Sequence, residues 1–190
     1  MENHQNRTKS QSFANKDLRG QEFQDCVFEQ CDFSYANLTN ASLENVTFLG
    51  CNLSCINLIS TRFREVKFAG CKLVGVDFHH CVGVLGSMQL SFSECILNGC
   101  NFSDLKLSKT PFLRSQLENC IFTNADLSES DFSKTDLTNT LFHGCQLQKS
   151  NFTLAKNYTI DPQNNFLAKA KFALPEAASL LQFLGIELIG

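Results

Sequence analysis

The 190-residue chain has no tryptophan, two tyrosines, two methionines and three prolines. Its aromatic content is therefore almost entirely phenylalanine, eighteen of them, so one ring shape is used repeatedly. No apolar run reaches the roughly 18 residues that span a bilayer, which argues against a membrane protein. Residues 1–12, MENHQNRTKSQS, lack the apolar stretch of a signal peptide and are expected to fray. The cytoplasm is the expected compartment. An excess of positive charge is missing too. Sixteen Lys and Arg stand against nineteen Asp and Glu, for a net charge of −3. That disfavours direct binding of nucleic acid, which needs a basic face. No glycine-rich phosphate loop, catalytic triad or pair of pocket carboxylates is visible. An enzyme is not expected, and neither a cofactor nor a metal is called for.

What the chain does have is a five-residue period. Phe or Leu recurs at every fifth position from Phe13 to Phe78, and again, in a shifted phase, from Phe92 to Phe152. Every Phe before residue 153 lies on this grid. The position two before most centres is small (Ala, Ser, Thr or Cys), and the one just before the centre is often Asn or Asp. Neither a helix nor a flat strand has a period of five. A chain that turns a corner every five residues satisfies it. One large and one small residue then point inward per side, and with four sides to a coil each side would stack on the side twenty residues later, about 4.8 Å away. Stacked residues should match, and they do. Phe92, Phe112, Phe132 and Phe152 form one column, and Leu97, Leu117 and Leu137 the next.

Eight of the ten cysteines occupy the small inward position, with Cys31, Cys51 and Cys71 stacked at intervals of twenty. They read as small hydrophobes in a dry core rather than disulfides or metal ligands. His79, His80 and Cys81 sit where the repeat slips between Phe78 and Phe92. The interruption, at about 79–91, is expected to leave the regular coil in part, and its residues His79, His80, Val84, Leu85 and Met88 are candidates for contact with a partner. An irregular coil that tucks its apolar residues inward is the alternative. The repeat ends near Thr153, which delimits a solenoid over 13–153 and a tail over 154–190. In the tail, Pro175 suits a first helical position and Gly185 a C-cap. Ile186 to Ile189 could form a short strand. The tail is expected to cap the open end and to join two copies through Leu180, Leu181, Phe183, Leu184, Ile186, Leu188 and Ile189.

The small–Asn/Asp–Leu/Phe–polar–polar consensus resembles the pentapeptide-repeat family. The resemblance covers 13–153 and implies an all-β fold, a right-handed, four-sided β-helix. The tail PEAASLLQFLGIELIG is similar to those of the Qnr quinolone-resistance and McbG-type microcin-immunity proteins. This resemblance implies a homodimeric rod that binds DNA gyrase or topoisomerase IV as a mimic of duplex DNA and protects it from a quinolone or a peptide microcin. Many Qnr proteins carry two loops, whereas this chain runs unbroken from Phe13 to Phe78. Two stretches carry the candidate acidic surface: Glu22, Asp25, Glu29, Asp32 and Glu44, then Glu118, Asp126, Glu129, Asp131 and Asp136. Of these, Asp32, Asp126, Asp131 and Asp136 stand at repeat positions where a short carboxylate suits a turn. The Glu residues and Asp25 are off that template. A basic group, Arg62, Arg64, Lys67 and Lys72, lies between the two stretches. The other reading is a generic interaction scaffold whose partner is not a topoisomerase.

Overall fold

The computed structural model of the chain describes residues 6–83 and 88–186. Its strands are β1 (Asn6–Lys9), β2 (Glu22–Gln24), β3 (Cys26–Glu29), β4 (Ser42–Glu44), β5 (Thr47–Leu49), β6 (Arg62–Arg64), β7 (Val66–Ala69), β8 (Val82–Gly83), β9 (Leu90–Ser93), β10 (Phe112–Leu113), β11 (Ile121–Thr123), β12 (Leu141–His143) and β13 (Thr159–Ile160). All the strand pairs are parallel, in sheets ordered β1-β3-β5-β7-β9-β10, β2-β4-β6-β8 and β11-β12-β13. Isolated parallel bridges such as Asp32↔Asn52 and Lys106↔Asp126 extend the stacking beyond the named strands. The result is a four-sided β-solenoid.

The sides can be numbered by their central residues. Face 1 is centred on Phe28, Phe48, Phe68, Phe92, Phe112, Phe132, Phe152 and Phe172, and face 2 on Phe13, Phe33, Leu53, Leu73, Leu97, Leu117 and Leu137. Face 3 is centred on Leu18, Leu38, Leu58, Phe78, Phe102, Phe122, Phe142 and Ile160. Face 4 follows Phe23, Leu43, Phe63, Gly83, Leu107, Leu127, Leu147 and Leu167. Along face 1 the rings stack in parallel, 4.9–5.3 Å between centroids. They meet the rings of opposite face 3 edge-on, as at Phe102–Phe112, 5.7 Å and 82°. That geometry places the positive ring edge against the negative ring face.

Corners come from the last residue of each side, which takes a left-handed conformation: Asn15, Gln30, Tyr35, Asn45 and Lys109 all have φ between 51° and 62°. Just before many centres, an Asn or Asp side chain accepts the N–H two residues on and closes the turn. Asn37 to Thr39, 3.0 Å, and Asp126 to Ser128, 3.0 Å, are examples. The small inward residues do more than fit. Thr61, Ser130, Ser150, Cys51, Cys120 and Cys145 each donate to the carbonyl of the centre residue 23 positions earlier, in the neighbouring coil. Cysteine is thus interchangeable with Ser and Thr here as a compact donor, the thiol being the weakest of the three.

Three expectations change. The segment expected to fray is partly ordered: β1 pairs with β3, with Thr8 beneath Phe28. A Thr at the centre hides this coil from a search for Phe and Leu. The solenoid also continues past Thr153 to Phe172, which stacks on Phe152 at 5.0 Å. Ile160 pairs with Phe142, only 18 residues away, and Asn165 then meets Cys145 at the regular 20. One short side and one long corner conceal that coil. Third, the interruption is narrower than 79–91. Phe78 and Cys81 are buried in register, and Val82–Gly83 pairs with β6. From β7 to β9 the interval is 24 instead of 20, so the insertion amounts to four residues. Met88, expected to face a partner, is buried in the core and its N–H donates to the Lys106 carbonyl. It adds apolar bulk to a face whose column carries Gly83 beside Phe63. Val84 and Leu85 lie outside the described residues.

The tail forms a 3-10 helix, Glu176–Leu184, ended by Gly185 at φ 67°. Pro175 precedes it as N-cap. Leu180 packs on the core, and Gln163 Nε2 donates to the Phe183 carbonyl at 3.1 Å. Leu188 and Ile189 lie outside the described residues. No described helix is long and apolar enough to cross a membrane.

Candidate partner-binding surface

A rod packed this tightly offers its outer faces for recognition, and the ten acidic candidates do not share one. Glu22, Asp25, Glu44, Asp126 and Glu129 lie on face 4, Glu29 and Asp131 on face 1, and Asp32, Glu118 and Asp136 on face 2. The four template Asp residues are turn formers. Asp32, Asp126, Asp131 and Asp136 accept the N–H of Ser34, Ser128, Ser133 and Thr138 at 2.8–3.1 Å. The Ser34 N–H holds the Asp32 carboxyl below its ordinary range. Several off-template carboxylates are answered by cations on the adjacent coil. Glu29 pairs with Arg7 and Lys9, Glu44 with Arg64 at 2.9 Å, and Glu129 with Lys149 at 3.6 Å. Lys9 first, then Arg7, lower the pKa of Glu29. Asp25 accepts Asn45 at 2.6 Å and Glu118 accepts Asn98 at 3.2 Å. Glu22 is exposed and has no ion pair among the described residues. The basic group is also dispersed, with Arg62 and Arg64 on face 4, Lys67 on face 1 and Lys72 on face 2.

Charge is instead sorted between opposite faces. From residue 47 onward, face 1 carries Lys67, Arg114, Lys134 and Lys171 among its outward residues, against Glu94 and Asp131. Face 3, from residue 37 to residue 161, carries Asp77, Asp104 and Asp161 and neither Lys nor Arg. His79, His80 and His143 are on it as well. His79 is half-buried, with Nδ1 donating to the Ser103 carbonyl at 2.9 Å and lying 3.5 Å from Asp104. His80 is exposed. The adjacent side chains Ile121 and Leu141 lie exposed on the same face. Sequence reasoning missed this sorting because face 3 appears only as five-residue fragments spaced by about twenty.

The stacked interior thiols are buried and free. Cys95 continues the column of Cys31, Cys51 and Cys71; the 24-residue interval hides it from a count of twenties. Burial pushes Cys81, Cys100 and Cys145 up, Cys145 to about 11. A raised thiol pKa favours the folded state fully below the ordinary thiol value, and that contribution is lost as pH rises through the folded value. The wild type is therefore expected to lose on the order of 2 kcal/mol through Cys145 between about pH 9 and 11. Cys145→Ser keeps the donor to Phe122, as Ser130 and Ser150 do for their own carbonyls. Thermal midpoints at pH 8 and pH 10.5 should fall less for the variant than for the wild type. Equal falls would refute this role of Cys145.

At the far end the tail presents apolar groups. Leu174, Leu184 and Ile186 are all at least half exposed, whereas Leu181 and Phe183 are partly covered.

A family model described as a pentapeptide repeat region matches residues 21–84 and 87–172. No curated protein sequence matches the chain. Among solved structures, a trypsin-treated form of QnrB1, a plasmid-mediated fluoroquinolone resistance protein, matches with a TM-score of 0.65 at 18% identity, covering 97% of this chain and 98% of that one. HetL, a protein involved in heterocyst differentiation regulation from the cyanobacterium Nostoc, matches with 0.62 at 18% identity, over 86% and 81%. Identities this low establish likeness of fold.

Proposed function

The chain belongs to the pentapeptide-repeat family, and on that premise we propose that it binds a type II topoisomerase, DNA gyrase or topoisomerase IV, and protects it from a poison such as a quinolone or a peptide microcin. Rods of this family generally act as scaffolds rather than enzymes, so the reading rests on what the rod can bind. The observation that carries it is the C-terminal end. A solenoid that needed only a cap would bury its apolar tail, yet Leu174, Leu184 and Ile186 face solvent beside a helix already docked through Leu180. Apolar exposure of this kind at one end of the rod fits a second copy of the chain. The dimer would be a rod about twice as long, offering a partner repeated outward charges at the roughly 4.8 Å pitch of the coils.

The test is a supercoiling and cleavage-complex assay with purified gyrase, with and without each poison. Inhibition of supercoiling and fewer poison-stabilised breaks are expected at micromolar protein, and no effect there would sink the reading. The double variant Leu184→Lys, Ile186→Lys changes only exposed side chains. It should convert the dimer to monomer by light scattering, and an unchanged mass would count against the tail as the joint.

A scaffold with a non-topoisomerase partner is favoured by one observation. Ion pairs with Lys9, Arg64 and Lys149 neutralise Glu29, Glu44 and Glu129, three of the ten acidic candidates on which a DNA mimic would depend. In that case gyrase assays are silent while the fold and the dimer persist.

A further inference from the structure

We infer that face 3 is a docking face for a protein surface bearing lysine and arginine side chains around an apolar contact. Only the identity of that partner as a topoisomerase rests on the reading above. Three observations meet on this face. First, its outward residues from 37 to 161 include Asp77, Asp104 and Asp161 and no Lys or Arg, so over these coils an approaching cation meets no lysine or arginine on this face; Arg19, in the first coil of the face, is paired with Asp17. Second, Ile121 and Leu141 pair directly across β11 and β12 and stay 42% and 50% exposed, which sets an apolar contact between Asp104 on one side and Asp161 on the other. Third, the opposite face carries Lys67, Arg114, Lys134 and Lys171 in excess over its carboxylates, so a basic partner is turned away from one side and received on the other. Such sorting steers the rotational approach of the rod, which net charge alone cannot do.

These carboxylates differ from those on face 4, where Glu44 and Glu129 are already paired with Arg64 and Lys149. Asp104 is 53% exposed, accepts a hydrogen bond from Asn124 and has only His79 as a basic neighbour among the described residues.

The repeat supplies matched variants that leave the fold intact. Lysine already occupies the left-handed corner at Lys109, Lys134, Lys149 and Lys169. It also occupies the position before the centre at Lys72, Lys106 and Lys156. Asp104→Lys with Leu141→Lys therefore adds three positive charges to face 3 at tolerated positions. Glu65→Lys with Gln116→Lys adds the same three to faces 4 and 2. Binding to purified gyrase should weaken about tenfold or more for the first pair and stay within about twofold for the second. Equal losses, or a larger loss for the second pair, would overturn the assignment.

A second arm does not depend on gyrase. Zero-length carbodiimide cross-linking of the wild type to an oligolysine peptide, mapped by mass spectrometry, should concentrate at Asp77 and Asp104. Linkage spread evenly over Glu22, Asp25 and Glu65 would overturn the proposal. Cross-links on face 3 without gyrase binding would leave the face assigned and remove the topoisomerase reading instead. The competing occupant is a second copy laid face 3 to face 1. If the face 3 variant lowers the mass of the protein by light scattering, the face is a self-contact and the proposal fails.

Discussion

Replacing Phe112 with alanine should lower the stability of the solenoid by about 3–5 kcal/mol, the range for emptying a fully buried aromatic site. Phe112 is completely buried. It stacks on Phe92 at 5.1 Å and Phe132 at 4.9 Å, and receives the edges of Phe102 and Phe122 at 5.7 and 5.8 Å. The walls of the resulting hole cannot close. The coils above and below are held at strand spacing by their backbone ladder, with Phe112 N–H itself donating to Asp131 O at 2.7 Å. A solenoid repeat touches only its neighbours, so the hole also separates two halves of the rod. Urea unfolding with amide exchange as the readout should show protection falling first in the coils around residue 112. Phe13→Ala, at the half-buried end of face 2, is the comparison and should cost much less. A loss below about 1 kcal/mol for Phe112→Ala would mean that the column relaxes, contrary to the rigid ladder described above.

The second large effect is expected at Asn165, which stands where other coils place a small residue. Its Nδ2 donates to the carbonyls of Phe142 and Asp161, both at 3.0 Å, and its Oδ1 accepts the Cys145 N–H at 3.0 Å. The residue is buried. Asn165→Ala orphans that buried N–H and removes two donors, for a loss of about 2–4 kcal/mol. Asn165→Ser should recover most of it. Ser115 accepts Cys95 N–H at 3.1 Å, and Ser150 donates to Leu127 at 2.8 Å, each from the equivalent position in its own coil. Only the link to Asp161 has no serine counterpart. Denaturant midpoints of the three proteins decide it: a serine variant no better than alanine would show that size, not hydrogen bonding, selects Asn165. The same lesson applies to the cysteines. Eight of them satisfied a pattern of small residues, but the pattern could not reveal that the inward position is also a donor to the neighbouring coil.

The sequence by itself determined the period of five and the identity of the inward residues and, through the resemblance of its consensus to the pentapeptide-repeat family, the four-sided coil with its pure columns. These are legible because each side is local: one large and one small residue, repeated at fixed spacing, with a turn-forming Asn or Asp between them. It also showed that Asp32, Asp126, Asp131 and Asp136 were of the turn-forming type. Only the tertiary structure decided what lies next to what beyond one coil. The four-residue insertion shifts every later register, so the joining of Phe68 to Phe92 and of Cys71 to Cys95 could not be counted out. A short side followed by a long corner hid the coil that ends at Phe172. Burial of Met88, ion pairing across adjacent coils and the segregation of charge between faces 1 and 3 all depend on which fragments, twenty or twenty-four residues apart, come to share a side. The physical reason is the same in each case. Inward residues answer to a local spacing rule, whereas an outer face is assembled from distant pieces and acquires its character only when the coils stack.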